Sequence, residues 1–252
     1  MDTRIPVGNL EVIGQVVDAS NVVLVVESAG VRAVYKPVRG ERPLWDFPDG
    51  TLAAREVASY LLSEAMGLGV VPVTELREGP LGSGALQRWV EGEVSGLVDL
   101  FGEGEVPAGW LPVLRGLGED GRTIVVAHAD DERLGRVALL DAVTNNADRK
   151  AGHLLGDADV WAIDNGLSFH VDPKLRTVLW GWAGRPLPDW AFTALKELAT
   201  ALRPDQKLTE ELAGLLSTDE MQALHSRVEA LMREGLWPRP DADRPVVPWP
   251  VF

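Results

Sequence analysis

The segment NNADRKAGHLLGDADVWAIDNG, residues 145–166, is the stretch around which the rest of the chain can be read. Its opening, Asn145-Asn-Ala-Asp-Arg-Lys150, is too polar to be core, and its end, Ile163-Asp-Asn-Gly166, has turn chemistry. Between them lie two short apolar runs, His153–Leu155 and Val160–Ile163, joined by Gly156-Asp-Ala-Asp159. This pattern predicts a small hairpin with Asp148 and Asp164, 16 positions apart, at its mouth. Two carboxylates with nearby acceptors suit magnesium, which takes oxygen ligands and keeps several waters. The plainer alternative is a pair of Asx turns in a loop-rich region.

Upstream, strand patterns dominate. Leu10, Val12, Gly14, Val16 and Val17 alternate, Asp18-Ala-Ser-Asn21 is a turn, Val22–Val26 is β-branched, and Ala29-Gly30 turns the chain into Val31–Lys36. Three strands with short turns predict an antiparallel meander. Pro37 ends it, and residues 38–50 form a loop punctuated by proline and glycine. A helix follows with Thr51 as its N-cap, an apolar stripe through Leu52, Val57, Leu61 and Leu62, and a stop at Gly67 and Gly69. Val70–Leu76 and Ala85–Val90 read as two further strands. Gly79-Pro-Leu-Gly-Ser-Gly84 between them reads as a hairpin turn and not as a phosphate loop, because no helix follows it.

Residues 91–130 have weak periodicity, with a change of lobe placed near 90–95. Helix patterns return at Asp131–Thr144, Asp189–Leu202 and Thr209–Leu216. A last helix starts at Ser217 with Glu220 completing a capping box and runs to Glu234. The terminal RPDADRPVVPWPVF is expected to lie extended on the surface. Strands and helices are segregated, which predicts an α+β fold. The expected division is a strand-rich lobe over 1–92, a mostly helical lobe with one small hairpin over 93–240, and a tail over 241–252.

Composition narrows the function classes. The chain has 252 residues and no cysteine, which excludes disulfides, thiol nucleophiles and cysteine–zinc sites. No stretch approaches the length of apolar sequence that spans a bilayer, and the N-terminus lacks a secretory pattern, so cytoplasm is the default. A net charge of −14 without a basic cluster argues against nucleic acid and against stable association with anionic membranes. His128, His170 and His225 have no metal-ligand spacing. Trp180, Trp182 and Trp190 are expected to pack the core or dock the tail.

Lys36 ends a predicted strand, and Glu56 sits 20 residues later in the first turns of a helix. An ammonium so placed can supply a point charge to phosphate oxygens while a carboxylate steadies its flexible stem; a solvated lysine and a surface glutamate are the bland reading. The pattern Asp148-Arg149-Lys150-x-x-His153 followed by Ile163-Asp164-Asn165-Gly166 resembles the signature of the phosphatidylinositol 3- and 4-kinase superfamily. It is similar also to the Asn-x-Asp loop of HipA-type kinases. Residues 35–51, YKPVRGERPLWDFPDGT, resemble an actinobacterial family of phosphatidylinositol-kinase-like proteins, a likeness that extends over nearly the whole chain.

The resemblance implies a two-lobed protein-kinase-like fold and an ATP- and divalent-metal-dependent phosphotransferase. By position it makes Asp148 the catalytic residue and Asp164 and His153 the metal ligands, with Asn146, Arg149 and Lys150 in support. It assigns ATP contacts to Lys36, Glu56, the Ser20–Asn21 turn and a hinge of Gln87, Arg88, Trp89 and Val90. Two departures stand out. His153 replaces the usual asparagine, so either Mn²⁺ is preferred over Mg²⁺, or Asn145 or Asn146 helps, or metal binding is impaired. The 18–22 loop also has no glycine. A pseudokinase or scaffold, and a nucleotidyl transferase on the same fold, are the alternatives. The acceptor is expected to be a protein or a small molecule.

Overall fold

The computed structural model describes residues 5–17, 19–118, 120–156, 158–241 and 243–252; the expected turn residues Asp18 and Asp157 lie outside them. The fold is mixed α+β with antiparallel sheets and five α-helices among the described residues.

The first sheet contains β1 (Glu11–Gln15), β2 (Leu24–Ser28), β3 (Val31–Pro37), β4 (Thr74–Gly79) and β5 (Gly82–Arg88), in the spatial order β1-β2-β3-β5-β4. All its pairings are antiparallel, and the Gly79–Gly84 segment carries the hairpin turn that joins β4 to β5. Strand alternation places Tyr35 in an apolar cluster with Leu24, Val26, Ala33 and Leu86. Lys36 therefore faces the other way. Its register partner Ala85 packs against Ala53 and Val57 of α1 (Leu52–Ala65), so Lys36 shares the face that this helix covers.

Helix α1 begins as the sequence implies, but its cap differs. Thr51 occupies the N-cap position without capping; its hydroxyl donates to Pro48 O. Glu41 reaches back instead, accepting from Leu52 N at 3.1 Å and Ala53 N at 2.9 Å. A carboxylate suits the positive end of a helix, and this one arrives from outside the local sequence window.

The chain then departs from its sequence reading. Residues 91–130 are not irregular: β6 (Val98–Gly102), β7 (Trp110–Leu117) and β8 (Thr123–Ala129) form a three-stranded antiparallel sheet in the order β6-β8-β7. The second half is thus not helical with a single hairpin. Pro112 and a register shift between Pro112 and Leu114 break the alternation that would have revealed β7. Next come α2 (Glu132–Thr144), the hairpin of β9 (Leu154–Leu155) and β10 (Trp161–Ala162), α3 (Asp189–Ala201), α4 (Lys207–Ala213) and α5 (Thr218–Glu234). The Ser217–Glu220 capping box of α5 is present.

The main core joins α1, through Ala58 and Leu62, and the Met66 that follows it to α2, α3, α5 and β10. The C-terminal segment also differs from its expectation. Pro248 and Val251 are buried, Trp180 Nε1 donates to Val246 O at 2.7 Å, and Ala151 N donates to Val251 O at 2.9 Å. It is a docked strap, and Trp182 and Trp237 stack in the core at 5.7 Å between centroids. No helix among the described residues is long and apolar enough to cross a membrane.

Replacing Glu41 by alanine removes both cap bonds of α1. The expected cost is about 1 kcal/mol, a fall of roughly 2–4 °C in the midpoint of thermal unfolding for a chain of this size. An unchanged midpoint would show that solvent caps the helix equally well.

Candidate functional site

A cavity of about 390 Å³ opens where β3, α1 and the 145–166 segment meet. Lys36, Glu56, Asp148, Lys150, His153 and Asp164 all line it, as do Ser20 and Asn21 from the β1–β2 connection. Lys36, with 18% of its side chain exposed, is held from two sides. Its Nζ donates to Glu56 Oε1 and, at 3.1 Å, to Asp164 Oδ1. Glu56 is itself fixed, because its Oε2 accepts from Asn165 N at 3.1 Å. Burial disfavours the Lys36 charge, but Asp164 and Glu56 outweigh it and raise its pKa. The Lys36 charge in turn holds the Asp164 carboxyl well below the usual carboxylate range, against the opposing effect of burial.

Asp148 is a different carboxylate. Burial raises its pKa, with Lys150 Nζ at 3.2 Å from Oδ2 opposing the shift. Its backbone N–H donates to Asn146 Oδ1 at 2.9 Å, an Asx turn. The turn chemistry and the clefted carboxylate are therefore both present.

The mouth of the hairpin is built by non-local bonds. Ser95 N donates to Leu154 O, Ala162 N to Val70 O, and Ile163 N to His153 O. Asp164 itself adopts the left-handed backbone, φ 57°, an unusual state for a side chain other than glycine or asparagine. Arg149, fully buried, pairs with Asp141 of α2, its Nη2 at 2.9 Å from Oδ1. It also donates to Ile163 O at 2.7 Å and to the Asn165 side chain. Asn146 donates to Asp141 Oδ1 at 3.1 Å. Arg149 and Asn146 thus position the loop and are turned away from the cavity, whereas Lys150 faces it.

Other expected residues divide. Asn21 Oδ1 accepts from Arg42 N at 2.9 Å, and Val22 N donates to Gly40 O at 3.1 Å, so the glycine-free loop is shaped by the 40–42 segment. A Cβ on Gly40 would come within 2.5 Å of Val22 Cβ, which makes glycine necessary there instead. Gln87, Arg88, Trp89 and Val90 do not line this cavity. Gln87 donates to Thr74 Oγ1 at 2.9 Å, the Arg88 guanidinium lies 4.6 Å from the Trp161 ring centre, and the Trp89 indole nitrogen is buried without an acceptor among the described residues. Glu41 and Arg42, which line the cavity, escaped the sequence reading because no local pattern marks them.

Among the described residues no three metal-ligating side chains cluster. A hard divalent cation needs only one or two protein carboxylates, and Asp164, with Asp148 beside it in the cavity, fits that demand. His153 Nε2 lies 3.4 Å from Asp164 Oδ2, and its Nδ1 is buried without a partner. Burial lowers the His153 pKa to about 4, against the pull of Asp164, so the ring is neutral and a nitrogen lone pair is available near pH 7.

His128 lies outside this cavity and is also neutral. Its Nδ1 bonds Ala129 O at 2.8 Å, which leaves Nε2 to accept from Gly181 N at 3.0 Å. Burial lowers its pKa to about 4. Unfolded histidine takes a proton near pH 6.5 and the folded one only near 4, so the unfolded state binds more protons between them. The His128 contribution to stability should fall as pH drops through that window. Urea unfolding of wild type and His128→Asn at pH 7 and pH 5 measures it, and the variant should lose less stability on acidification.

Comparison with known proteins gives three findings. Over 261 residues the chain is 47% identical to protein Rv2133c of Mycobacterium tuberculosis, an alignment covering 97% of this chain and 93% of that protein. The crystal structure of a Helicobacter pylori proinflammatory kinase, CtkA, superposes with a TM-score of 0.48 at 9% identity, covering 92% of this chain and 93% of the other. No family model matches the chain.

Proposed function

We propose that this chain, which belongs to the family of the Mycobacterium tuberculosis protein Rv2133c, is an ATP- and divalent-metal-dependent phosphotransferase of an atypical kinase type. One observation carries the reading: a single lysine ammonium contacts Glu56 of α1 and Asp164 beyond the hairpin, in a cavity that Asp148 also lines. Lys36 would meet phosphate oxygens, with Glu56 steadying it. A divalent cation, when bound, would neutralise phosphate charge, with Asp164 as its carboxylate ligand and Asp148 and His153 beside it. Asp148 would orient the acceptor hydroxyl and take its proton as the acceptor oxygen bonds to the γ-phosphorus and the bond to ADP breaks. Its raised pKa suits a base. Lys150, already beside Asp148, would balance charge on the transferring group.

The hinge role of residues 87–90 rests on the motif likeness alone, because none of them lines the cavity. The motif likeness to phosphatidylinositol 3- and 4-kinases and to HipA-type kinases belongs to this reading. A net charge of −14 works against an anionic bilayer as the acceptor, so the reading favours a protein or small-molecule hydroxyl. Nucleotide binding without transfer is the second reading. The glycine-free loop and the direct Lys36–Asp164 pair, which engages a carboxylate oxygen the cation would use, favour it. Transfer of AMP in place of phosphate would be recognised by the mass of the product.

Asp164→Asn should abolish metal-dependent ATP binding by calorimetry. Asp148→Ala should keep that affinity within about threefold while lowering ATP turnover roughly 10²–10⁴-fold. Unchanged turnover in Asp148→Ala sinks the catalytic assignment. Wild-type metal–ATP binding in Asp164→Asn sinks the site.

His153→Asn replaces a nitrogen donor by an oxygen donor. The ratio of ATP affinity with Mn²⁺ to that with Mg²⁺ should fall by roughly tenfold. An unaltered ratio would remove His153 from the metal's surroundings.

A further inference from the structure

We infer a second ligand site, for a small organic anion, in a cavity of about 260 Å³ between α5 and the C-terminal strap. It shares no lining residue with the Lys36–Asp148 cavity, so it stands whether or not the nucleotide reading does.

The balance of charge within the cavity points to the ligand. Four cations line it, Lys174, Arg227, Arg239 and Arg244, against the carboxylates of Glu234 and Asp241, in a chain whose net charge is −14. Lys174 is matched by Asp46 at 2.5 Å, and Arg244 by Asp241 at 3.3 Å. Glu234 is turned to Arg233 at 3.6 Å. Arg227 and Arg239 are left with no carboxylate in ion-pair reach among the described residues. Arg227 donates through Nε to Val143 O at 2.9 Å and through Nη1 to His170 O at 3.3 Å, while its Nη2 is buried and donates to nothing among the described residues. An unmet, buried guanidinium N–H is costly and calls for an acceptor. Arginine presents a planar fork that fits a carboxylate or a phosphate.

The remaining walls are apolar. Leu175, Trp180 and Leu231 face the same space, which favours an anion carrying a flat apolar body over a bare ion. Asn145, three positions before Asp148, forms one side, and Val246 of the strap forms another. An occupant would therefore touch both the segment leading into the Asp148 loop and the strap that packs against that loop.

The test titrates the full chain with phenyl phosphate, benzoate and inorganic phosphate, followed by calorimetry. Phenyl phosphate or benzoate should bind saturably, at least about tenfold more weakly in Arg239→Ala and in Arg227→Lys, and unchanged in Asp164→Asn. Arg239 is exposed, so its truncation leaves the fold intact. The organic probe that binds identifies the anionic head as phosphate or carboxylate. No saturable binding by either organic probe, or binding unaltered in both arginine variants, overturns the site. Inorganic phosphate binding as tightly as phenyl phosphate overturns the organic character. Binding lost in Asp164→Asn but kept in Arg239→Ala places the probe in the other cavity and also overturns it.

Discussion

Arg149 is the joint on which the candidate site depends. Its guanidinium is fully buried and bonded in three directions: to Asp141 on α2, to the Ile163 carbonyl, and to the Asn165 side chain. The two segments that carry Asp148 and Asp164 lie on either side of the small hairpin, and neither belongs to a long regular element. A planar, permanently charged group with five donors can fix both at once, which lysine cannot do. The cost is two buried charges, compensated only while every partner is present. Asn146 adds a bond to the same Asp141 oxygen, so the helix end, the polar loop and the post-hairpin turn form one network.

On that frame the carboxylates of the cavity take different roles. Four line it, Glu41, Glu56, Asp148 and Asp164, against the cations Lys36, Arg42 and Lys150. Two of the four are engaged in holding structure. Glu41 caps α1, and Glu56 is bound between Lys36 and Asn165 N. Asp148 and Asp164 face the cavity beside Lys150 and Lys36, and their surroundings push their proton affinities apart. Burial raises Asp148, while Lys36 depresses Asp164. In the phosphotransferase reading proposed above, the ionised carboxylate would suit a cation and the more basic one a proton acceptor.

The sequence made some of this legible, for definable reasons. The β2–β3 meander follows from β-branched alternation with a tight turn at Ala29-Gly30, and the α5 cap from four consecutive positions. The meeting of Lys36, Glu56, Asp148 and Asp164 in one cavity follows from the motif likeness and not from local pattern, which leaves a solvated lysine and two Asx turns open. What stayed hidden was non-local. The β6–β8 sheet has exposed, interrupted faces, with Leu114 and Leu117 outside and a register shift after Pro112. Glu41 caps a helix whose first residue is eleven positions further on. Nothing in the local pattern around Arg149 says that it faces Asp141 and not solvent.

The C-terminal strap shows how an unpromising composition can serve that network. Prolines at 245, 248 and 250 cannot donate hydrogen bonds, so the strap crosses the protein with few N–H groups to satisfy. Its carbonyls are the useful part. Val246 O takes both Trp180 Nε1 and Thr177 N, and Val251 O takes Ala151 N. Thr177 bridges Arg149 in parallel, and Val178 N donates to Arg149 O, so the 176–178 segment joins the Asp148 loop to the strap at Val246, while Ala151 meets it directly at Val251. Buried Pro248 and Val251 anchor those bonds by apolar contact, which carries no polar demand of its own. A segment that reads as a surface tail therefore becomes the outer wall of the loop carrying Asp148. Its proline content fits that placement, which leaves few donors unmet, while Trp249 stays exposed.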